Sequence, residues 1–404
     1  MLENPCYERA RERLLSNISP VDTERIPLSE CGGRILAQDL IAQENIPAFD
    51  RSPYDGYAFR AEDTAFASPE NPVTLKVLEE IPAGAVPTKK TETGTAAKVL
   101  TGAPIPQGAD AVIMYEKTVF TDETVTLSAP VKAGSNIIYA GEDMRKGTVL
   151  ANCGTVIDPG LAGTLAAQGE ALPLVYKVPK VAILSTGSEL VEANDIPEAG
   201  KIRNSNRYML EAALSRLGCE PVYLGIAMDT VESISKLLIQ GLVRCDAVIT
   251  TGGVSAGDYD LTLAAMEAIG ADILFRGVDM KPGMACAYGI KDNKPLCGLS
   301  GNPASALTNF YAVALPALKR LTGRRKFLPQ EINVVLLDGF KKKSPVPRFL
   351  RGRLNLKDGA VCMELPEDQD NVVLSSAIGC DVMAVVPAGS GPIEAGAVLK
   401  GFLI

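Results

Sequence analysis

The chain has 404 residues, room for two to four domains at roughly 150 residues each, every one able to bury a core. It is 47% hydrophobic and carries a formal net charge of −8. An acidic chain without a long basic run argues against nucleic acid as the main partner, because phosphate neutralisation supplies most of that affinity. Histidine is absent. That excludes histidine triads, histidine general bases and histidine-ligated zinc, and leaves Asp, Glu, Lys, Arg, Ser, Thr, Cys or a bound metal for any chemistry.

The first residues, Met1-Leu2-Glu3-Asn4-Pro5, lack the basic and apolar regions of a signal peptide. Nine scattered cysteines with no Cys-x-x-Cys pair suit reduced, mostly buried thiols in a cytoplasmic protein. Charged residues punctuating an apolar stripe predict a helix over 7–15. Short runs at 73–77, 97–100, 111–114 and 125–127, separated by Gly- and Pro-containing turns, predict a β-rich inserted domain over 54–140. The insert interrupts a mixed N-terminal domain made of 1–53 and 141–178, with a helix near 160–168.

From 179 to 326 the rhythm is α/β. Strand-like runs at 181–184, 222–226, 247–250 and 273–275 alternate with helical stretches near 205–217, 230–241 and 260–269. That alternation predicts a parallel sheet covered by helices on both faces, with ligands outside the carboxyl ends of its strands. The longest charge-free stretch, 299–318, is broken by Gly301-Asn302-Pro303 and reads as a buried helix, not a membrane span. Runs at 332–336, 360–363 and 382–386 then predict a small β-barrel over 327–404. The fold class is thus multidomain α/β plus β.

Chemistry is expected at the loops of the α/β region. Ser185-Thr186-Gly187-Ser188-Glu189 follows one strand, and Thr251-Gly252-Gly253-Val254-Ser255-Ala256-Gly257-Asp258-Tyr259-Asp260 follows another. Small residues there let backbone N–H groups approach an anion, though they also serve tight turns and helix caps. Neither loop is a Walker A sequence, and no Gly-x-Gly-x-x-Gly occurs. Glu189, Asp229, Asp258 and Asp260 all fall just beyond strands, as hard oxygen ligands for Mg²⁺ would. Singly, such carboxylates are caps or surface groups. Lys281-Pro282-Gly283 presents a lysine on stiff backbone, for an oxyanion or merely for solvent. The segment from Leu299 to Ser305 opens a helix and offers another anion cradle.

These residues resemble the MoeA/gephyrin-type molybdopterin molybdenumtransferases over essentially the whole chain. The likeness rests on Ser52-Pro-Tyr-Asp-Gly-Tyr-Ala58, the stretch from Thr101 to Val112, Gly141-Glu-Asp143, Ser185-Thr-Gly-Ser-Glu-Leu190, the stretch from Gly252 to Asp260, Lys281-Pro-Gly283 and Gly301-Asn-Pro-Ala-Ser305. It implies a four-domain homodimer whose α/β domain is similar to molybdopterin adenylyltransferases. It implies that adenylylated molybdopterin and molybdate are substrates, that Mg²⁺ assists, and that AMP is released. Molybdopterin adenylyltransferase and molybdoenzyme apoproteins become expected partners.

By the same resemblance, Asp55 and Thr101 face the ligand across the dimer. Glu189, Asp229 and Asp260 hold metal or orient the adenylyl phosphate. Gly252, Gly253 and Ser255 cradle phosphate or pterin, with Ser185, Gly187, Ser188 and Ser305 in the neighbouring anion-binding turns. Lys281 offsets oxyanion charge, and Arg348, Arg351 and Ser375 lie on the molybdate side. The chain departs from the family pattern in ligand-facing motifs. Met284 and Ala285 replace the second Lys-Pro of Lys-Pro-Gly-Lys-Pro, and Ser300 replaces a proline. Asn204 stands where Asp is common, Ile137-Ile138-Tyr139 lacks the usual arginines, and Asp370-Asn371-Val372-Val373 replaces a glycine-rich turn. A scaffold protein that keeps the fold without insertion, or a tungsten-preferring insertase, remains the alternative.

Overall fold

The computed structural model describes residues 4–254 and 260–404. They form two compact units, one of Met1–Gln38, Cys153–Pro159 and Leu172–Ile404, the other of Asp39–Asn152 and Gly160–Ala171.

The larger unit is built on a six-stranded sheet. Strand Lys180–Thr186 lies between Glu220–Ala227 and Ala247–Thr251, and Lys294–Leu299 follows on the far side of the latter; all four are parallel. The uninterrupted apolar run of strand Lys180–Thr186 follows from its double burial. Val181 and Ile183 face one hydrophobic cluster with Leu210, Leu214 and Phe310. Ala182 and Leu184 face the other, with Ile234, Leu238 and Met266. The helices start and stop where side chains allow. Asn204, Thr230 and Asp260 cap Ser205–Leu217, Val231–Arg244 and Leu261–Ala268, each accepting a hydrogen bond from a backbone N–H of the first turn. Gly218 closes the first of them in the left-handed region at φ 86°.

The expected all-parallel sheet needs correction at one edge. Cys286–Lys291 and Asp272–Arg276 run antiparallel to their neighbours. The reason is the two-residue turn Asp292-Asn293, both at positive φ (51° and 61°), which joins Cys286–Lys291 directly to Lys294–Leu299. Two residues can close a hairpin but cannot carry a parallel crossover.

The stretch after Leu299 is a buried helical run, Pro303–Asn309, a π-helical turn at Phe310–Ala314, and Leu315–Leu321. Among the described residues no helix is long and apolar enough to cross a membrane. Beyond it, five strands close into the expected barrel, with Val334, Leu350, Met363, Val382 and Leu399 in its interior. Alternation along the barrel strand Arg348–Lys357 turns Phe349 outward into the α/β core, where its ring meets Tyr7 of the N-terminal helix Tyr7–Leu15 at 5.0 Å.

The smaller unit contains a second six-stranded sheet between residues 56 and 127. Tyr57 and Phe59 face one cluster and Ala58 the other. Gly56 sits where strands crowd: a Cβ there would lie 1.9 Å from the Ile113 carbonyl oxygen, which belongs to the adjacent backbone. We expect Gly56→Ala to destabilise this unit by about 3 kcal/mol or more, since backbone cannot step aside as a side chain can. Thermal unfolding followed by calorimetry checks this, and a melting temperature within a degree of wild type contradicts it.

Candidate functional site

Four parallel strands end at one edge of the larger unit's sheet, at Thr186, Ala227, Thr251 and Leu299. Just inside that edge a polar network holds the loops. Ser185 is fully buried, and its hydroxyl accepts from Asn204 Nδ2 at 3.0 Å and from Thr251 Oγ1 at 3.3 Å. Asn204 Nδ2 also donates to the Tyr223 hydroxyl at 3.1 Å, which donates to Glu192 Oε1 at 2.7 Å. Arg207 donates to Glu192 at 2.8 Å and stacks over Tyr223 at 3.8 Å from its ring centroid. Burial and the Glu192 carboxylate both push the Tyr223 hydroxyl pKa upward. A carboxylate at 204 could not donate to either oxygen, so the amide suits this arrangement. The structure therefore uses Ser185 to brace the loops from within. Sequence reasoning missed Tyr223, Glu192 and Arg207 because a bond between loop and strand leaves no spacing signal.

The loops themselves are tightly specified. Gly252 (φ 87°) and Gly253 (φ 65°) lie against Thr186 and Thr262, where a Cβ would come within 2.4 and 2.6 Å of oxygen. Glycine is demanded by this close approach as much as by any ligand. At Gly187 a Cβ would lie 2.6 Å from Glu189 Oε2, so the Glu189 carboxylate folds back over the loop. Ser188 N donates to Asp229 Oδ2 at 2.8 Å and joins the two loops. Ser188, Glu189 and Asp229 are exposed. Asp260 is buried, caps its helix through Leu263 N at 3.0 Å, and lies 3.9 Å from Arg276 Nε. Ser255 and Asp258 lie outside the described residues.

Among the described residues no three carboxylates or cysteines gather as a ready-made metal cage. Glu189 and the second oxygen of Asp229, on loops already tied together, fit the sparser need of Mg²⁺, which uses one or two carboxylates beside phosphate oxygens. Asp260 gives one oxygen to its helix cap and sets the other 3.9 Å from Arg276 Nε.

A second polar centre lies where the barrel meets the α/β core. The Lys281–Pro282 peptide is cis. Lys281 N donates to Pro347 O and Lys281 O accepts from Phe349 N, both at 2.9 Å, so this lysine is fixed to the barrel strand while its side chain stays exposed. Arg348 and Arg351, three apart on that strand, point to opposite faces. Arg348 turns inward to Ser344 Oγ at 3.1 Å and over the Phe340 ring. Arg351 is fully buried on the outer face. Its Nη2 donates to Ser376 Oγ at 2.8 Å and to Asp370 O at 3.4 Å, while Nε and Nη1 have no partner. Burial pushes its pKa down. Ser376, not Ser375, meets the arginine. Ser375 lines a separate apolar groove of about 570 Å³ with Met209, Leu307 and Tyr311. Ser305 is buried in the first turn of Pro303–Asn309, and Met284 is 41% exposed near Lys281 in sequence.

In the smaller unit, Asp55 and Thr101 are brought together 46 residues apart. Asp55 Oδ1 accepts from Thr101 N at 2.6 Å and Thr101 Oγ1 at 2.8 Å. Those two bonds, the backbone one first, hold the Asp55 carboxyl below the usual carboxylate range.

Comparison with known proteins accounts for the whole chain. Residues 6–169 match the MoeA N-terminal region (domain I and II), 182–320 a probable molybdopterin binding domain, and 333–400 the MoeA C-terminal region (domain IV). The chain is 38% identical over 395 residues to a molybdopterin molybdenumtransferase of Staphylococcus aureus, covering 97% of this chain and 94% of that one. It is 36% identical over 397 residues to the Staphylococcus epidermidis protein of the same name, covering 98% and 94%. The crystal structure of the molybdopterin biosynthesis moeA protein from Pyrococcus horikoshii superposes with a TM-score of 0.86 at 32% identity, covering 100% of both chains. The buried polar bracing, the small-residue loops and the full-length match together establish that the chain belongs to the MoeA family of molybdopterin molybdenumtransferases.

Proposed function

We propose that this chain inserts molybdenum from molybdate into the dithiolene of adenylylated molybdopterin and releases AMP. The observation that carries the reading is Arg351, a buried guanidinium with two N–H groups unpaired, on the strand that also fixes Lys281. Leaving charged donors unpaired costs free energy, and a tetrahedral oxyanion is a natural complement to them. The outcome does not need a general base: cleavage of a phosphoanhydride asks mainly for positioning and charge neutralisation. A chain without histidine can therefore perform it.

In this reading the backbone N–H groups of the Gly187 and Gly252 loops bind the adenylyl phosphate. Glu189 and Asp229 would hold Mg²⁺, which would supply charge neutralisation at the phosphate. Lys281 stands at the mouth of the oxyanion site and Arg351 at its base, with Ser376 orienting the guanidinium. We place Asp55 and Thr101 of one subunit at the α/β loops of the other, in a cytoplasmic homodimer. Molybdopterin adenylyltransferase supplies the substrate, and molybdoenzyme apoproteins take the product.

The direct test measures AMP release from adenylylated molybdopterin with Mg²⁺, adding molybdate, tungstate or neither. Release that depends on the oxyanion supports the insertase and ranks its metal; none under any condition, with ligand binding intact, leaves a scaffold protein instead. Arg351→Gln should raise the molybdate needed for half-maximal release by roughly 10- to 100-fold, the loss of a charged hydrogen bond. Arg351→Met separates binding from folding. It should match or exceed wild-type thermal stability without oxyanion, because a poorly paired buried charge is removed. It should also lose the stabilisation that molybdate gives the wild type.

The Asp55 bonds predict a pH effect with a definite sign. A depressed carboxyl stabilises its loop above the ordinary carboxylate range, and that stability is lost as pH falls through the lowered value. Asp55→Asn should abolish this acid-side transition, read from amide exchange at Thr101. An unchanged profile would show that Asp55 does not order the turn.

A further inference from the structure

Residues 368–378 pass over the buried guanidinium of Arg351 as a strap. Gln369 Oε1 accepts from Arg351 N at 3.0 Å, and its Nε2 donates to Arg351 O at 2.8 Å. The Asp370 carbonyl and the Ser376 hydroxyl take Arg351 Nη2, and Ser376 in turn donates to Val373 O at 2.6 Å. Asp368 is spent on the strap's own backbone, accepting from Asp370 N at 2.8 Å.

The Asp370 carboxylate has a different surrounding. Its Oδ1 accepts from Lys342 Nζ at 2.6 Å, and the side chain is 55% exposed. Lys281 pairs by backbone with Arg348, and Arg348 Nε is held by Ser344, only two residues from Lys342. Lys342, then Arg348 and Lys281, all act to keep Asp370 ionised. The strap that covers Arg351 thus carries an anion of its own, paired with Lys342.

We propose that Asp370 is an internal stand-in for the oxyanion: its carboxylate holds Lys342 beside the strap that covers Arg351, and an incoming molybdate must displace it. The inference rests on the oxyanion reading above and names the residue that tunes it. A dianion with four oxygens draws about twice the Coulomb attraction of a carboxylate at equal distance, and it can use the unpaired N–H groups of Arg351. The strap's displacement lowers affinity for molybdate. Its return favours release. Asp370 accordingly tunes the affinity of the site and is not a catalytic residue.

The test titrates sodium molybdate by calorimetry into the full chain as wild type, Asp370→Asn, Asp370→Ser and Arg351→Gln. Both Asp370 variants should bind molybdate roughly two- to fivefold more tightly than wild type, the scale of one exposed charge pair. The gain should shrink in about 1 M salt, where the Debye length falls to about 3 Å. Wild-type binding that Arg351→Gln weakens, but that the Asp370 variants do not both strengthen, would overturn the stand-in and leave the oxyanion site intact. Absence of binding in all four proteins would overturn both. A circular dichroism spectrum of each variant matching wild type establishes that the comparison is between folded proteins.

Discussion

The interior strand Lys180–Thr186 is buried on both faces, and most of the functional architecture follows from that constraint. A strand with apolar layers above and below has no face left for chemistry. Polar groups must collect where the strand ends, and there the backbone turns through Gly187, Gly252 and Gly253 at angles and distances that exclude a side chain. Ser185, Asn204, Thr251 and Tyr223 sit at the boundary between the dry sheet and these loops. Their mutual hydrogen bonds satisfy groups that would otherwise be buried unpaired.

The second centre obeys a different rule. The barrel strand Arg348–Lys357 belongs to two cores at once: Leu350 fills the barrel and Phe349 fills the α/β core. Period-two alternation therefore carries Arg351 into the space beside that shared wall, and a guanidinium is drawn out of water by the packing of its neighbours. Its partial pairing is the kind of local inconsistency that proteins keep where a ligand is to be accommodated. The backbone clamp between Lys281 and residues 347–349 brings a lysine from the α/β loops to the same strand. Loop and barrel are thereby joined through backbone hydrogen bonds at that strand.

Much of this was legible beforehand, for physical reasons that can be named. The helix at Tyr7–Leu15, the strand at 181–184 and the helix cap at Asp260 all depend on interactions within a few residues. The hairpin from 286 to 299 is signalled locally only by Lys291-Asp292-Asn293-Lys294, and that the two strands it joins pair with each other at the sheet's edge is settled by long-range packing. Ser375 stood out over Ser376 only by resemblance. Which of two adjacent hydroxyls reaches Arg351 is settled by how a short 3-10 turn packs against a strand more than twenty residues away.

By itself the sequence determined the order of elements, the absence of histidine chemistry and the glycine-bearing loops, since these depend on residue type and near neighbours. The tertiary structure alone decided that Ser185 joins a buried hydrogen-bond network, that Asp260 caps its helix, and that Arg348 and Arg351 part to opposite faces. It also decided that Asp370 faces Lys342 from 28 residues away. Each of those outcomes turns on long-range pairing and burial, and burial is a property of what the rest of the chain places around a side chain.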